Sequence, residues 1–324
     1  MKNMHKSSNP CVSVIIPNYN HEKFLIQRIE SILHQTFQNF ELIILDDCST
    51  DNSKTIIENY RHHEKVTAIV YNEHNSGSTF KQWEKGIEIA QGEWIWMAES
   101  DDWCESTFLE VVVDGLTKNA KCVVGFCQSC VVSDDGTILW QTHASKLLEY
   151  HAGADFVNNR LLYVCEIVNA SSVVWKKNEF KNITKGYTTF RACGDWLFWL
   201  EVARRGEIMI SGRMLNYFRK YDDSFTEHSF VSGLHFTESI RMGKYLLEQK
   251  FIDEATFKKS MKSRYEQFYQ RRSQMTLQKA KEINQLFKHE RVRTRSLNKY
   301  GFFTKVQRRL RSALKRRLLA RFFI

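Results

Sequence analysis

EWIWMAESDDW, residues 93–103, sets a strand against a cluster of acids. Trp94, Ile95, Trp96 and Met97 make a short apolar run bounded by polar residues, which reads as a buried strand. The run ends in Glu99, Ser100, Asp101 and Asp102. Three carboxylates at one strand tip cannot all stay charged side by side without a counterion. Alone, such a triplet reads as a solvated acidic turn. A second acidic pair, however, closes another apolar run upstream, FELIILDD (40–47), which ends in Asp46 and Asp47. Two acid-tipped strands in one chain point to a divalent cation with a phosphorylated ligand. Hard oxygen ligands suit Mg2+ or Mn2+, which take one or two carboxylates together with substrate phosphates.

Outward from that strand, the chain alternates. VSVII (12–16) is a first buried strand, closed by Pro17, whose missing N–H suits a strand end. Asn18, Tyr19 and Asn20 form a polar loop, and Leu25, Ile29, Ile32 and Leu33 then repeat at helical spacing. After the strand at 40–45, Asp51 or Ser53 can cap a helix built on Ile56, Ile57 and Tyr60. A third strand over 66–70 leads through the turn-rich NEHNSGS to a helix over 80–90, with Gly92 as its stop. Strand–helix alternation with nearly continuous apolar strands is the signature of a parallel sheet flanked by helices. Ligands in such sheets lie beyond the carboxyl ends of the strands. Residues 17–20, 46–47 and 99–102 all fall at such ends, so they share one edge.

Further on, a helix over 108–116 precedes a strand pair, VVGFCQSCVV and TILW, across a turn at Asp134, Asp135 and Gly136. SSVVW (171–175) is another strand. A helix opens at Asp195 and stops at Gly206, and two short strands follow over 208–210 and 215–218. Beyond about residue 236 the strands give way to helical patterns rich in Lys, Arg and Gln. Two domains are expected, 1–235 and 236–324.

Composition narrows the function. Residues 1–240 hold 23 Lys and Arg against 31 Asp and Glu, a net of −8, whereas residues 241–324 hold 24 against 6, a net of +18. The region with the acid-tipped strands is thus mildly acidic, which argues against a nucleic acid substrate. The eight cysteines have no framework spacing. Cys127 and Cys130 sit three apart on a strand and face opposite ways, and no second CxxC completes a zinc site, so reduced and mostly buried thiols are expected. No apolar run approaches the roughly 18 residues of a membrane span, and the first apolar piece is too short for a signal peptide; a cytoplasmic protein is expected. No G-x-G-x-x-G follows the first strand, which disfavours a dinucleotide oxidoreductase. PNYNHEKF lacks the Gly-rich phosphate loop of a nucleotidyltransferase.

VSVIIPNYN, SILHQTF, FELIILDDCSTD, NSGS, AQGEWIWMAESDDW and GDWLFWL, in this order, resemble the family-two glycosyltransferases with the GT-A fold. The resemblance spans about residues 12–226 and implies an α/β fold, a Rossmann-like mixed sheet flanked by helices, here with a helical C-terminal extension. It implies inverting transfer of a sugar from a nucleotide-diphosphate donor, a UDP-sugar foremost, to a saccharide or lipid-linked saccharide acceptor in cell-surface polysaccharide synthesis. Pro17, Tyr19 and Asp47 match positions that hold the nucleobase and ribose. Glu99, Asp101 and Asp102 stand at the family's D-x-D motif and form the expected set for Mn2+ or Mg2+, with Asp101 also toward the donor; Glu99 replaces the usual first Asp. Asp195 matches the general base, while its bland reading is a helix N-cap. Lys81 either faces the diphosphate or is a solvated helix lysine. Arg219 and Tyr221 lie in a segment that often closes over the diphosphate, Tyr221 where many members carry His. Trp103 and Trp196 either stack an acceptor sugar or belong to the core. The alternative to transfer is a sugar-nucleotide-binding or nucleotidyltransferase-like protein without glycosyl transfer activity.

KVQRRLRSALKRRLLARFFI (305–324) spaces Val306, Leu310, Leu314 and Leu318 four apart with basic residues between. A cationic amphipathic helix reads as a segment for an anionic membrane surface; docking on the acidic domain or RNA contact are its alternatives. The expected location is peripheral, on the inner face of the cell membrane.

Overall fold

A computed structural model describes residues 10–221 and 224–295. The chain divides into two units, Met1–Tyr221 and Asp222–Ile324.

The first unit begins with β1 (Val12–Asn18), α1 (Glu22–Leu33), β2 (Phe40–Asp46), α2 (Ser53–Glu58), β3 (Val66–Tyr71), α3 (Thr79–Ile89) and β4 (Trp94–Met97). These strands pair in parallel in the order β3, β2, β1, β4. β1, β2 and β4 are buried along their whole length, as their continuous apolar runs require when helices cover both faces. Chain order reverses between β1 and β4, the kind of switch point where an open sheet leaves a crevice. Pro17 does not close β1. The ladder runs on to Asn18, with Pro17 opposite Leu45 and Asn18 opposite Asp46. Ile15 accepts the Ala98 N–H, so residue 17, two along the strand, turns its missing donor to the same side, past the point where β4 has ended.

The sheet continues through β5 (Trp103–Cys104), α4 (Phe108–Thr117), β6 (Cys122–Val132), β7 (Ile138–Gln141), β8 (Leu148–Ala152), α5 (Gly153–Phe156), β9 (Val173–Lys176), α6 (Gly194–Ala203) and β10 (Glu207–Arg219). β9 runs antiparallel between β4 and β6, and β10 is parallel to β6, so the sheet is mixed. β10 is one strand of 13 residues where the sequence suggests two. Its register against β6 shifts between Ile210 and Met214. Ser211, Gly212 and Arg213 break the apolar pattern there, and Gly212 passes so close to the next segment that a methyl group on it would fall 2.1 Å from the Lys146 carbonyl. No disulfide joins the described cysteines, and Cys127 and Cys130 are buried in β6.

The second unit contains α7 (Phe225–Ser232), α8 (Leu234–Glu248), α9 (Glu254–Arg271) and α10 (Leu277–His289). Side chains of Ser224, Asp253 and Thr276 cap α7, α9 and α10 by accepting the N–H three residues on, the standard remedy for unpaired first-turn donors. Gly233, at φ 79°, breaks the chain between α7 and α8. Phe236, Tyr265, Phe268 and Phe287 build its aromatic core. The unit begins 14 residues before the expected boundary at 235, because α7 packs with α8; the S-F-T-E capping pattern at 224–227 was the available signal. The basic segment 305–324 lies outside the described residues. No helix among the described residues is long and apolar enough to cross a membrane.

Candidate active site

The loops after β1 and β2 interlock. Asn18 donates to Asp46 Oδ1 (2.8 Å) and Ser49 Oγ (3.2 Å), while Ser49 donates its N–H and hydroxyl to Asp46 (2.9 and 2.6 Å). Asn20, held at φ 55°, accepts the Thr50 N–H at 2.7 Å. This leaves Tyr19 exposed at the rim. Asp47, beside it, is buried and organises the 72–78 loop. Its Oδ1 accepts from Asn72 Nδ2 (2.6 Å), Ser76 N–H (2.8 Å) and Gln82 Nε2 (2.9 Å), and its Oδ2 accepts, among the described residues, the Ser76 hydroxyl alone (2.7 Å). Oδ2 therefore keeps accepting capacity that Oδ1 has spent. Lys81 is exposed and donates to the Ser76 carbonyl at 3.2 Å.

Glu99, Asp101 and Asp102 do not point at one spot. Glu99 accepts the Trp83 indole N–H at 3.0 Å. Asp102 is 1% exposed, and its carboxylate is filled by Asn169 Nδ2 and Ser171 Oγ (both 2.6 Å) and the Arg219 N–H (2.9 Å). Asp101 keeps the open carboxylate, with the Tyr221 hydroxyl 3.3 Å from Oδ2. Among the described residues no three His, Cys, Asp or Glu side chains form a preassembled metal cluster. The expected set of three is thus redistributed: Asp101 is the carboxylate available to a cation, and Asp102 is the internal brace of the turn. One open carboxylate still fits Mg2+ or Mn2+, whose remaining positions phosphate and water oxygens fill.

Crowding is written into the acidities. Burial, then Asp101, pushes Glu99 up to about 8, and the same two causes in the same order push Asp102 up to about 7. The compensating cation is Arg28, which the motif reading passes over. It is fully buried, donates from Nε to the Glu99 carbonyl (2.9 Å) and lies over the Trp96 ring; its two terminal nitrogens have no hydrogen-bond partner among the described residues. The sequence did carry a signal: an arginine three residues after Leu25 and one before Ile29 lies on the helix's apolar stripe.

Arg219 is engaged within the protein. Its guanidinium is buried against Phe24 and Trp103 and donates to the carbonyls of Asp101 (2.9 Å) and Asp134 (2.8 Å) and to Gln27 Oε1 (2.8 Å). It fastens the rim. Tyr221 packs on Phe24 and brings its hydroxyl to Asp101 and to His21 Nε2 (3.3 Å); burial, then Asp101, pushes its pKa up and makes the phenol a weaker acid. Trp103 is stacked on Tyr217, and Trp196 is a core residue whose indole donates to the Leu161 carbonyl at 2.7 Å.

Asp195 is not the N-cap of α6. Cys193 holds that position and Asp195 lies in the first turn, accepting the Trp196 N–H at 2.8 Å. It is only partly buried, and its charge adds to burial in raising the nearby Cys165 thiol. Apart from Glu201, whose carboxylate accepts the Thr184 N–H (2.6 Å) and hydroxyl (2.5 Å), the rest of α6 is apolar and buried, as a helix of that composition must be.

One helix turn ties the acids together. On α3, Gln82 binds Asp47, Trp83 binds Glu99, and Phe80 packs so closely on the start of α6 that a methyl group on Gly194 would fall 2.3 Å from its ring. Trp83 also meets Phe198 and Trp199 of α6 edge-on or tilted, at 5.5 and 6.0 Å.

Residues 13–168 match the family model for glycosyl transferase family 2. Over 220 residues the chain is 30% identical to the glycosyltransferase GlyG of Streptococcus pneumoniae, covering 68% of this chain and 64% of that one. Over 102 residues it is 36% identical to the poly(ribitol-phosphate) beta-N-acetylglucosaminyltransferase TarS of Staphylococcus aureus, covering 30% of this chain and 17% of TarS. The chain therefore spans under two thirds of either relative's length. The structure of TarS 1–349 in complex with UDP-GlcNAc superposes with a TM-score of 0.62 over 80% of this chain and 72% of that one, at 22% identity. Mixed sheet, switch point and acid-tipped strands agree with these matches: the chain carries, over residues 13–168, a glycosyl transferase family 2 domain on the GT-A fold.

Proposed function

We propose that this protein is an inverting glycosyltransferase that moves a sugar from a UDP-linked donor to a saccharide or lipid-linked saccharide acceptor in cell-surface polysaccharide synthesis. The observation that carries this reading is the α3 turn, which joins Asp47, Glu99 and the start of the Asp195 helix at one edge of the sheet. The UDP-GlcNAc complex of TarS favours a uridine donor.

Tyr19 offers an exposed ring to the nucleobase, and Asp47 Oδ2 can accept a base N–H or ribose hydroxyl. When bound, Mn2+ or Mg2+ neutralises charge developing on the leaving diphosphate. Asp101 is the side chain to hold the ion. Lys81, exposed at the first turn of α3, adds positive charge on the same side. The acceptor hydroxyl attacks the anomeric carbon, the bond to the diphosphate oxygen breaks, and the hydroxyl proton passes to the Asp195 carboxylate. General base assistance of this kind contributes ~10²–10⁴-fold. Attack opposite the leaving group inverts the anomeric centre. The basic segment 305–324 would hold the enzyme at an anionic membrane surface, near a lipid-linked acceptor.

Incubation with Mn2+ and a panel of UDP-, GDP- and TDP-sugars should release nucleoside diphosphate from a UDP-sugar. Asp195→Asn should keep UDP affinity and lose at least ~10²-fold in turnover. No release from any donor, or full turnover by Asp195→Asn, would reject the reading.

A further inference from the structure

His21 is held closely at one ring nitrogen and loosely at the other. Nδ1 lies 2.7 Å from Ser100 Oγ, and Ser100 is 1% exposed. Nε2 lies 3.3 Å from the Tyr221 hydroxyl, which lies 3.3 Å from Asp101 Oδ2. Hydroxyl hydrogen bonds usually close to about 2.7–2.8 Å, so Tyr221 stands between an imidazole nitrogen and a carboxylate oxygen without binding either tightly. The two flanking atoms come from separate segments, one just ahead of α1 and one just after β4. Both are ordinary donors for a divalent transition ion.

The setting of the imidazole matches that use. A metal-bound histidine almost always gives its other ring N–H to an oxygen, which fixes the tautomer and the ring direction. With the proton on Nδ1 donated to Ser100 Oγ, the lone pair of Nε2 faces the Tyr221 hydroxyl, whose oxygen also lies 3.3 Å from Asp101 Oδ2. Phe24 supports the ring from the side, edge-on at 6.3 Å. Building on the metal-dependent reading above, we propose that His21 Nε2 is a ligand of the divalent cation alongside Asp101, and that the Tyr221 hydroxyl is the group the ion displaces. The sequence gives no hint of this, since PNYNHEKF places His21 in a polar loop 80 residues before Asp101. A nitrogen ligand also moves preference away from Mg2+, an oxygen-seeking ion, toward Mn2+ and Co2+.

The test uses the full-length protein with Mn2+ and UDP. Electron spin echo envelope modulation of bound Mn2+ should show coupling to an imidazole nitrogen, and His21→Ala should lose it. Titration followed by the free-Mn2+ resonance should show affinity falling about tenfold or more in His21→Ala, and about tenfold in Ser100→Ala, which removes the outer partner. Mn2+ bound by the wild type without nitrogen coupling would overturn the His21 assignment and leave the transferase reading standing. Coupling that persists in His21→Ala would overturn it by assigning the nitrogen elsewhere. A wild type that binds no Mn2+ would overturn the assignment together with the metal dependence, and the donor panel would still decide the transferase reading. The wild-type spectrum decides the main point without any variant having to fold.

Discussion

Truncating Asp47 should melt the 72–78 loop, whereas replacing it by Asn should leave the loop in place. Asp47 Oδ1 collects the Asn72 amide, the Ser76 N–H and the Gln82 amide, and Oδ2 takes the Ser76 hydroxyl. In Asp47→Ala the Ser76 hydroxyl keeps its second partner, the Ser78 carbonyl at 3.1 Å. The three donors at Oδ1 lose that acceptor, and Gln82 Nε2 keeps only the longer bond to the Ser76 hydroxyl at 3.2 Å. At about 1 kcal/mol each, the low end for donors that water can partly reach, the loss is ~3 kcal/mol. In Asp47→Asn the amide oxygen can occupy the Oδ1 position and retain all three donors. Its NH2 then faces the Ser76 hydroxyl, which can accept while still donating to Ser78. Only the charge assistance is lost, ~1 kcal/mol. Denaturant unfolding measures both costs, and hydrogen exchange at the Ser76 amide localises them: exchange should accelerate by about two orders of magnitude in Asp47→Ala, as 1.4 kcal/mol per tenfold requires for ~3 kcal/mol. Equal costs for the two variants, or a Ser76 amide still slow in Asp47→Ala, would refute this reasoning.

Glu99, pushed up to about 8, keeps its proton in the folded metal-free protein across a range where the unfolded chain, near its ordinary 4.5, has lost it. Its contribution is therefore fully present below about pH 4.5 and declines as pH rises toward 8, at ~1.4 kcal/mol per unit where steepest; Glu99→Gln should flatten that decline in thermal unfolding between pH 5 and 8. Gly194→Ala should cost ~1–3 kcal/mol through overpacking, because the new methyl group meets Phe80 at 2.3 Å and the Tyr187 carbonyl at 2.6 Å; calorimetry would show the lowered Tm, and turnover should fall with it as Asp195 shifts. Deleting residues 300–324 should release the protein from anionic vesicles at physiological salt, measured by co-sedimentation, while donor hydrolysis by the remaining chain continues.

The edge of the sheet was legible in the sequence because apolar runs ending in acids are local patterns, and local patterns survive into the fold. β1, β2, β3, β4 and α3 lie within a residue or two of where periodicity puts them. What escaped depends on partners far along the chain. Arg219 looks like a phosphate ligand beside a strand, yet it is occupied by Gln27, 192 residues away, and by the Asp101 and Asp134 carbonyls. Asp102 looks like the metal carboxylate of its motif, yet Asn169 and Ser171, 67 and 69 residues on, fill it. The two-residue β5 is too short for any propensity to mark, and it exists because β10 offers Asn216 and Tyr217 as partners. Arg28 and His21 were readable as residue types but not as neighbours of the acidic turn, since only the crossing of α1 over the end of β4 brings them there.

Phe80, Gln82 and Trp83 occupy a single turn of α3, so a small rotation or slide of that helix changes the surroundings of Asp47, Glu99 and Gly194 at once. Substitutions at the three positions should therefore combine non-additively, with pairwise coupling of ~0.5–3 kcal/mol. A programme to retune donor choice would then make more headway by transplanting residues 78–83 from a relative as a block than by exchanging them singly.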